Sequence, residues 1–106
     1  MIVPCIYLMK REDGLRKVGS TRNVEVRLWH LNRGRLKYVL EKTWETDNVW
    51  KLKRERIIHQ QLDGYLYQCD RSDLYDIDLE PAVAIINLGL IISNRRYHPA
   101  LPGANK

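Results

Sequence analysis

Apolar and polar positions along this chain switch between a period of two and a period near four, and the switches mark its elements. Ile2 to Met9 is a mostly apolar run whose length and β-branched content suit a buried strand. Leu15 to Gly19 predicts its hairpin partner. Glu12-Asp13-Gly14 lies between them, and Asp-Gly supplies the positive φ that tight hairpin turns require. Val24, Leu28 and Leu31 then recur at helical spacing. Ser20 to Asn23 offers N-cap residues before that helix, and Asn32-Arg33-Gly34 stops it. Leu36 to Thr46 alternates in places and predicts a third strand. Asp47-Asn48 caps a second helix, Val49 to Leu62, ended by Gly64. Its stripe Leu52, Glu55, Ile58, His59 and Leu62 predicts an inward face, with Arg and Lys on the opposite side. Tyr65 to Asp76 is irregular by composition, with a short strand at Tyr65 to Gln68. Asp78 can cap a last helix in which Pro81 is tolerated in the first turn. Ala82 to Ile92 is apolar nearly all round, which predicts burial on more than one side. Arg95-Arg96 close it, and Pro99, Pro102 and Gly103 predict a loosely ordered tail.

Composition narrows this picture in three ways. A chain of 106 residues holds one domain with a modest core. Two cysteines, Cys5 and Cys69, are too few for a disulfide framework or a Cys-based zinc site, so each reads as a buried thiol. Pro4 and Lys10-Arg11 interrupt any N-terminal apolar stretch, and Ala82 to Ile92 is too short to span a bilayer, so a cytoplasmic protein is expected. The formal net charge of +5 favours a polyanionic partner, most simply nucleic acid.

The residues with candidate chemistry stand in a fixed order. Cys5-Ile6-Tyr7 lies on the first strand and Lys17-Val18-Gly19 on the second. Arg27 lies on the helix that follows, and Glu55 on a later helix. In that order and spacing they resemble the core of the GIY-YIG endonuclease superfamily, in the branch whose second signature reads Lys-Ile-Gly or Lys-Val-Gly. Cys5 stands where the superfamily has Gly, and Lys17 where it has Tyr. Leu31, four residues after Arg27, stands where the wider superfamily often has His or Tyr. The resemblance runs from residue 3 to about 93. It implies an α/β fold, a small three-stranded mixed or antiparallel sheet flanked by helices. Residues 1–95 would form the nuclease domain and 96–106 the tail, with no appended DNA-reading domain expected.

It also implies roles. Hydrolysing a phosphodiester requires an activated water, stabilised phosphate charge and a departing oxygen. An ionised Glu55 on an apolar stripe needs a compensating cation. The helix pattern alone suggests an ion pair with Arg27 or Lys51. The resemblance makes Glu55 the ligand of one divalent metal, Mg2+ or Mn2+, which prefer oxygen ligands. Arg27 would hold the scissile phosphate through its donor fork. Tyr7 would activate water as base or by orienting it, and a phenol needs a nearby positive charge for that, which Lys17 could supply. Without the resemblance, Lys17 reads as a solvated edge-strand lysine. His59 shares a face with Glu55 and could bond the metal-site water, the leaving group or Glu55 itself. Asp73 is a candidate one step further out. Arg22, Arg33, Arg35, Lys37, Lys51 and Arg54 would meet backbone phosphates of DNA. Trp29, Trp44 and Trp50 could stack on bases, with Trp44 the one expected in the core. A double-strand break would need a homodimer or two successive events. Two rival readings share these residues: a nucleic-acid-binding module of the same fold that has lost cleavage, and a protein-interaction adaptor.

Overall fold

Gly14 turns the chain at φ +96°, the left-handed conformation that the Asp-Gly pair was read to supply. Around that turn, β1 (Cys5–Arg11) pairs antiparallel with β2 (Arg16–Thr21). This is a computed structural model, which describes residues 3–69 and 73–97. The expected tail from residue 98 onward lies outside the described residues, as do the side chains of Cys69 and Tyr97. Next come α1 (Val24–Leu31), β3 (Tyr38–Glu45), α2 (Lys51–Leu62), a 3-10 turn at Asp63–Tyr65, β4 (Leu66–Cys69), β5 (Asp73–Tyr75) and α3 (Leu79–Tyr97).

The sheet is antiparallel and has five strands in the order β3-β1-β2-β5-β4, not three. The two additional strands are short: β4 falls on the short strand expected at Tyr65 to Gln68, and β5 lies in the rest of that segment, whose composition suggested irregular chain. Their effect is to enclose β2. Lys17 pairs with Met9 on one side and Leu74 on the other, so it sits on an interior strand and is 9 % exposed. The solvated edge-strand reading of Lys17 is therefore wrong.

Ile6, Leu8, Val18, Ile58, Leu62, Tyr75, Ile77, Ala82 and Ile86 form the core between the sheet and α2 and α3. Trp44 packs against it in part, and its indole N–H donates to Asn87 Oδ1 at 2.9 Å, which gives the amide inside the last apolar run a partner. Along α3, Ala82, Ile86 and Ser93 are fully buried while Leu88 and Ile91 stay exposed. The helix is thus covered on one broad side, not on several. In β3 the register slips by one residue opposite Leu8 and Met9, which leaves Glu41 unpaired as a bulge. Its carboxylate takes the Arg16 guanidinium bidentately, at 2.7 and 3.0 Å, and the third Arg16 nitrogen donates to the Ile77 carbonyl at 2.7 Å.

The start of α1 follows its sequence signal, whereas α2 begins at Lys51 and not at Val49, with Trp50 as an N-cap that makes no side-chain cap bond. The Asn23 side chain accepts from Val26 N–H at the start of α1, and the Asp47 side chain accepts from Trp50 N–H just before α2. On α2 the inward face is Arg54, Ile57, Ile58 and Leu62. Leu52, read as part of the inward stripe, is 65 % exposed. No helix among the described residues is long and apolar enough to cross a membrane.

Candidate active site

β1, β2, α1 and α2 each send side chains toward one open pocket of about 390 Å³. It is lined by Tyr7, Lys17, Ser20, Arg27, Glu55, His59 and Asp73, with Val18, Gly19 and Leu52 completing the wall. The register explains part of this gathering. Tyr7 stands opposite Gly19, and a side chain at residue 19 would collide with the phenol. The glycine gives the Tyr7 ring its place across the neighbouring strand. α1 then brings Arg27 to the phenol, and Arg27 Nη1 donates to Tyr7 Oη at 3.3 Å.

Glu55 enters from α2 and is half-buried. Its Oε1 accepts from Ser20 Oγ at 2.5 Å, and its Oε2 lies 3.2 Å from His59 Nε2. Burial alone would raise its pKa. The hydrogen bonds from His59 and Ser20, with the charges of His59 and Lys17, outweigh that and hold it below the usual carboxylate range. Neither Arg27 nor Lys51 forms an ion pair with Glu55 among the described contacts. The compensation that the apolar stripe called for comes from these hydrogen bonds and from Lys17. His59 also meets Tyr75 Oη through Nδ1 at 2.5 Å, with Asp73 Oδ2 at 3.9 Å. The carboxylate of Glu55, one of the partners expected for His59, is thus within its reach.

Tyr7 and Lys17 are pushed in opposite directions. Burial raises the Tyr7 phenol, and the charge and hydrogen bond of Arg27 only partly offset it. Burial, followed by the Arg27 charge, lowers Lys17, against the pull of Glu55 and Asp73. The positive neighbour that acts on Tyr7 is Arg27 rather than Lys17, which was expected to supply that charge, and desolvation outweighs it.

The resemblance implies a divalent metal at this donor set. Among the described residues no group of three His, Cys, Asp or Glu side chains gathers as a metal cage. Mg2+ does not require one, since it keeps several waters and is commonly held by one or two carboxylates together with substrate phosphates. Glu55 suits that mode. It is held in its ionised form, and Ser20 and His59 use only two of its roughly four lone-pair positions. The pocket is open and has space for a hydrated ion beside a phosphate group.

The expected phosphate contacts divide. Arg22, Arg33, Arg35 and Lys37 are exposed and Lys51 is half-buried, and none of them lines the pocket. Lys37 is tied locally, donating to the carbonyls of Asn32 at 2.7 Å and Gly34 at 3.1 Å. Arg54 is a correction. It is 8 % exposed, bonds to the Thr46 hydroxyl and lies 3.5 Å from Asp47, so it braces the entry to α2 and is not a free phosphate contact. Trp29 is 62 % exposed, with the Arg33 guanidinium 5.3 Å from its ring centroid.

Sequence reasoning did not find Ser20 or Tyr75 as parts of the site. Ser20 directly follows the Lys-Val-Gly signature, but it was read as a helix-cap residue. Tyr75 belongs to the acidic-aromatic stretch around Asp73, whose strand was not recognised. A family model, the T5orf172 domain, matches residues 4–89. No curated protein and no solved structure matches the chain.

Proposed function

The chain belongs to the T5orf172 domain family, a distant branch of the GIY-YIG nuclease clan whose members are generally metal-dependent, and from that premise we propose that it is an endonuclease hydrolysing DNA phosphodiester bonds with one divalent metal. The observation that carries the reading is the convergence of Tyr7, Lys17, Arg27 and Glu55 on one pocket from four different elements.

In this reading the pocket receives one phosphodiester. Arg27 pairs with its non-bridging oxygens and holds the charge that builds up as water attacks. Tyr7 keeps its proton, as its raised pKa favours, and orients the attacking water with its hydroxyl. Lys17 takes up the proton that the water releases when it is in its uncharged amine form, the form that burial and Arg27 favour. Glu55 holds the divalent ion, Mg2+ or Mn2+, which when bound supplies Lewis-acid stabilisation at the phosphate and the departing oxygen. The exposed Arg22, Arg33 and Arg35 add affinity through the DNA backbone without reading bases.

Incubation with supercoiled plasmid tests the proposal. Nicking is expected with Mg2+, and none with EDTA or with Glu55→Gln. DNA binding without nicking in Mg2+ or Mn2+ would replace the reading with a binding module of the same fold.

A further inference from the structure

We infer that Ser20 and Tyr75 are positioning residues for Glu55, Ser20 acting directly and Tyr75 through the imidazole of His59, so that the carboxylate is oriented for a divalent cation. The inference rests on the proposed role of Glu55 and goes beyond it.

Four side chains from β2, α2 and β5 form one continuous chain of hydrogen bonds. Ser20 Oγ donates to Glu55 Oε1 at 2.5 Å, His59 Nε2 lies 3.2 Å from Oε2, and His59 Nδ1 lies 2.5 Å from Tyr75 Oη. The His59 and Tyr75 rings stack, with centroids 5.6 Å apart and planes 28° apart. Tyr75 is 1 % exposed, so its hydroxyl is held in place by the core.

The chemistry fixes the direction of this chain. In its charged form both nitrogens of the His59 ring donate, and Nε2 still faces Glu55; in its uncharged form the ring has one donor and one acceptor nitrogen, and its neighbours choose which is which. Burial of Tyr75, with the carboxylates of Asp73, Asp63 and Glu55 nearby, keeps its phenol protonated, so it donates to Nδ1. The ring hydrogen then sits on Nε2 and is donated to Oε2 of Glu55. Without the Tyr75 hydroxyl, the hydrogen is free to move to Nδ1, toward Asp73 Oδ2 at 3.9 Å. The Nε2 lone pair would then face a carboxylate oxygen, and Glu55 would lose one of its two donors. Tyr75 thus selects the tautomer that orients Glu55. Hydrogen-bonded partners of this kind hold a metal-ligating group in its binding orientation.

A purely structural role predicts lower stability with unchanged cation affinity. A positioning role predicts weaker cation binding. The experiment follows Mn2+ binding to the DNA-free protein by electron paramagnetic resonance, beside plasmid nicking across a range of Mg2+ concentrations. Tyr75→Phe and Ser20→Ala are each expected to weaken Mn2+ binding on the order of 10-fold or more. The nicking defect should appear in the half-activating Mg2+ concentration more than in the saturated rate. In a His59→Ala background, Tyr75→Phe should change Mn2+ affinity no further, because its route to Glu55 is gone. Wild-type Mn2+ affinity in both single variants overturns the inference and leaves Glu55 as the ligand. Equal Mn2+ binding by wild type and Glu55→Gln overturns the role of Glu55 and the inference with it.

Discussion

Gly19→Ala puts the close approach of β2 to the Tyr7 ring to the test. A Cβ at this position would lie 2.6 Å from Tyr7 Cζ and 3.0 Å from Cε2, and closer still to the hydroxyl oxygen. Carbon atoms pack at about 3.5–4.0 Å, so the ring would have to retreat by roughly 1 Å. Tyr7 is 1 % exposed and its hydroxyl already meets Arg27, so the retreat must displace packed neighbours. Overpacking of this kind destabilises by about 1–3 kcal/mol. Replacing glycine within a strand returns about 0.5–1 kcal/mol. A net loss near 1 kcal/mol should lower the Tm by about 5 °C for a chain of this size. A shift of about 1 Å in a group that orients the attacking water can slow cleavage on the order of 100-fold. Thermal unfolding and single-turnover cleavage measure the two effects. Tyr7→Phe removes the atom nearest the new methyl, so Gly19→Ala should destabilise Tyr7→Phe by less than it destabilises the wild type. Wild-type stability and wild-type cleavage in Gly19→Ala would refute this account of the glycine.

Three further outcomes are expected. Arg27→Ala should lower the single-turnover rate far more than it lowers DNA affinity, because its charge matters most in the transition state, and an equal loss in both would make it a backbone contact. Lys17→Met should abolish cleavage and raise stability near neutral pH by about 1 kcal/mol. The fold depresses the pKa of Lys17, so between that value and 10.5 the unfolded chain binds more protons and wild-type stability rises with pH; urea unfolding across this window should show the mutant's advantage shrinking. Glu55→Gln in EDTA should lose about 1–2 kcal/mol, because its depressed pKa marks hydrogen bonds to a charged acceptor, and unfolding midpoints at neutral pH that match wild type would contradict that balance.

The sequence carried the hairpin and α1 because each is set by local chemistry, Asp13-Gly14 and Asn23. Tyr7, Arg27 and Glu55 were singled out by the resemblance to the GIY-YIG signatures, and β1, α1 and α2 bring them to one pocket. The strand β5 escaped because three residues show no period, and its pairing with Arg16 and Lys17 is a long-range event. That omission misplaced Lys17 at an edge and hid Tyr75. Arg54 was assigned to solvent because arginine is mostly exposed, and nothing local signals a guanidinium turned toward Thr46 and Asp47. For Glu55, the stripe implied an acid short of compensation. One donor, His59, follows on the same helix and was legible from helical spacing, whereas the other, Ser20, comes from β2, which spacing along α2 cannot reveal.

The bulge at Glu41 makes β3 unusual in how it would respond to a change in length. Loss of one residue from an ordinary strand turns every later side chain to the opposite face of the sheet. Loss of residue 41 would instead join Leu40, opposite Met9, to Lys42, opposite Leu8, and so close the ladder with all other partners in place. What would fail is charge balance, since Arg16 has a side chain only 9 % exposed and would lose its carboxylate while keeping only the Ile77 carbonyl. A shortened β3 is therefore compatible with this fold only where an uncharged residue replaces arginine at position 16, which ties the length of one strand to the charge of another.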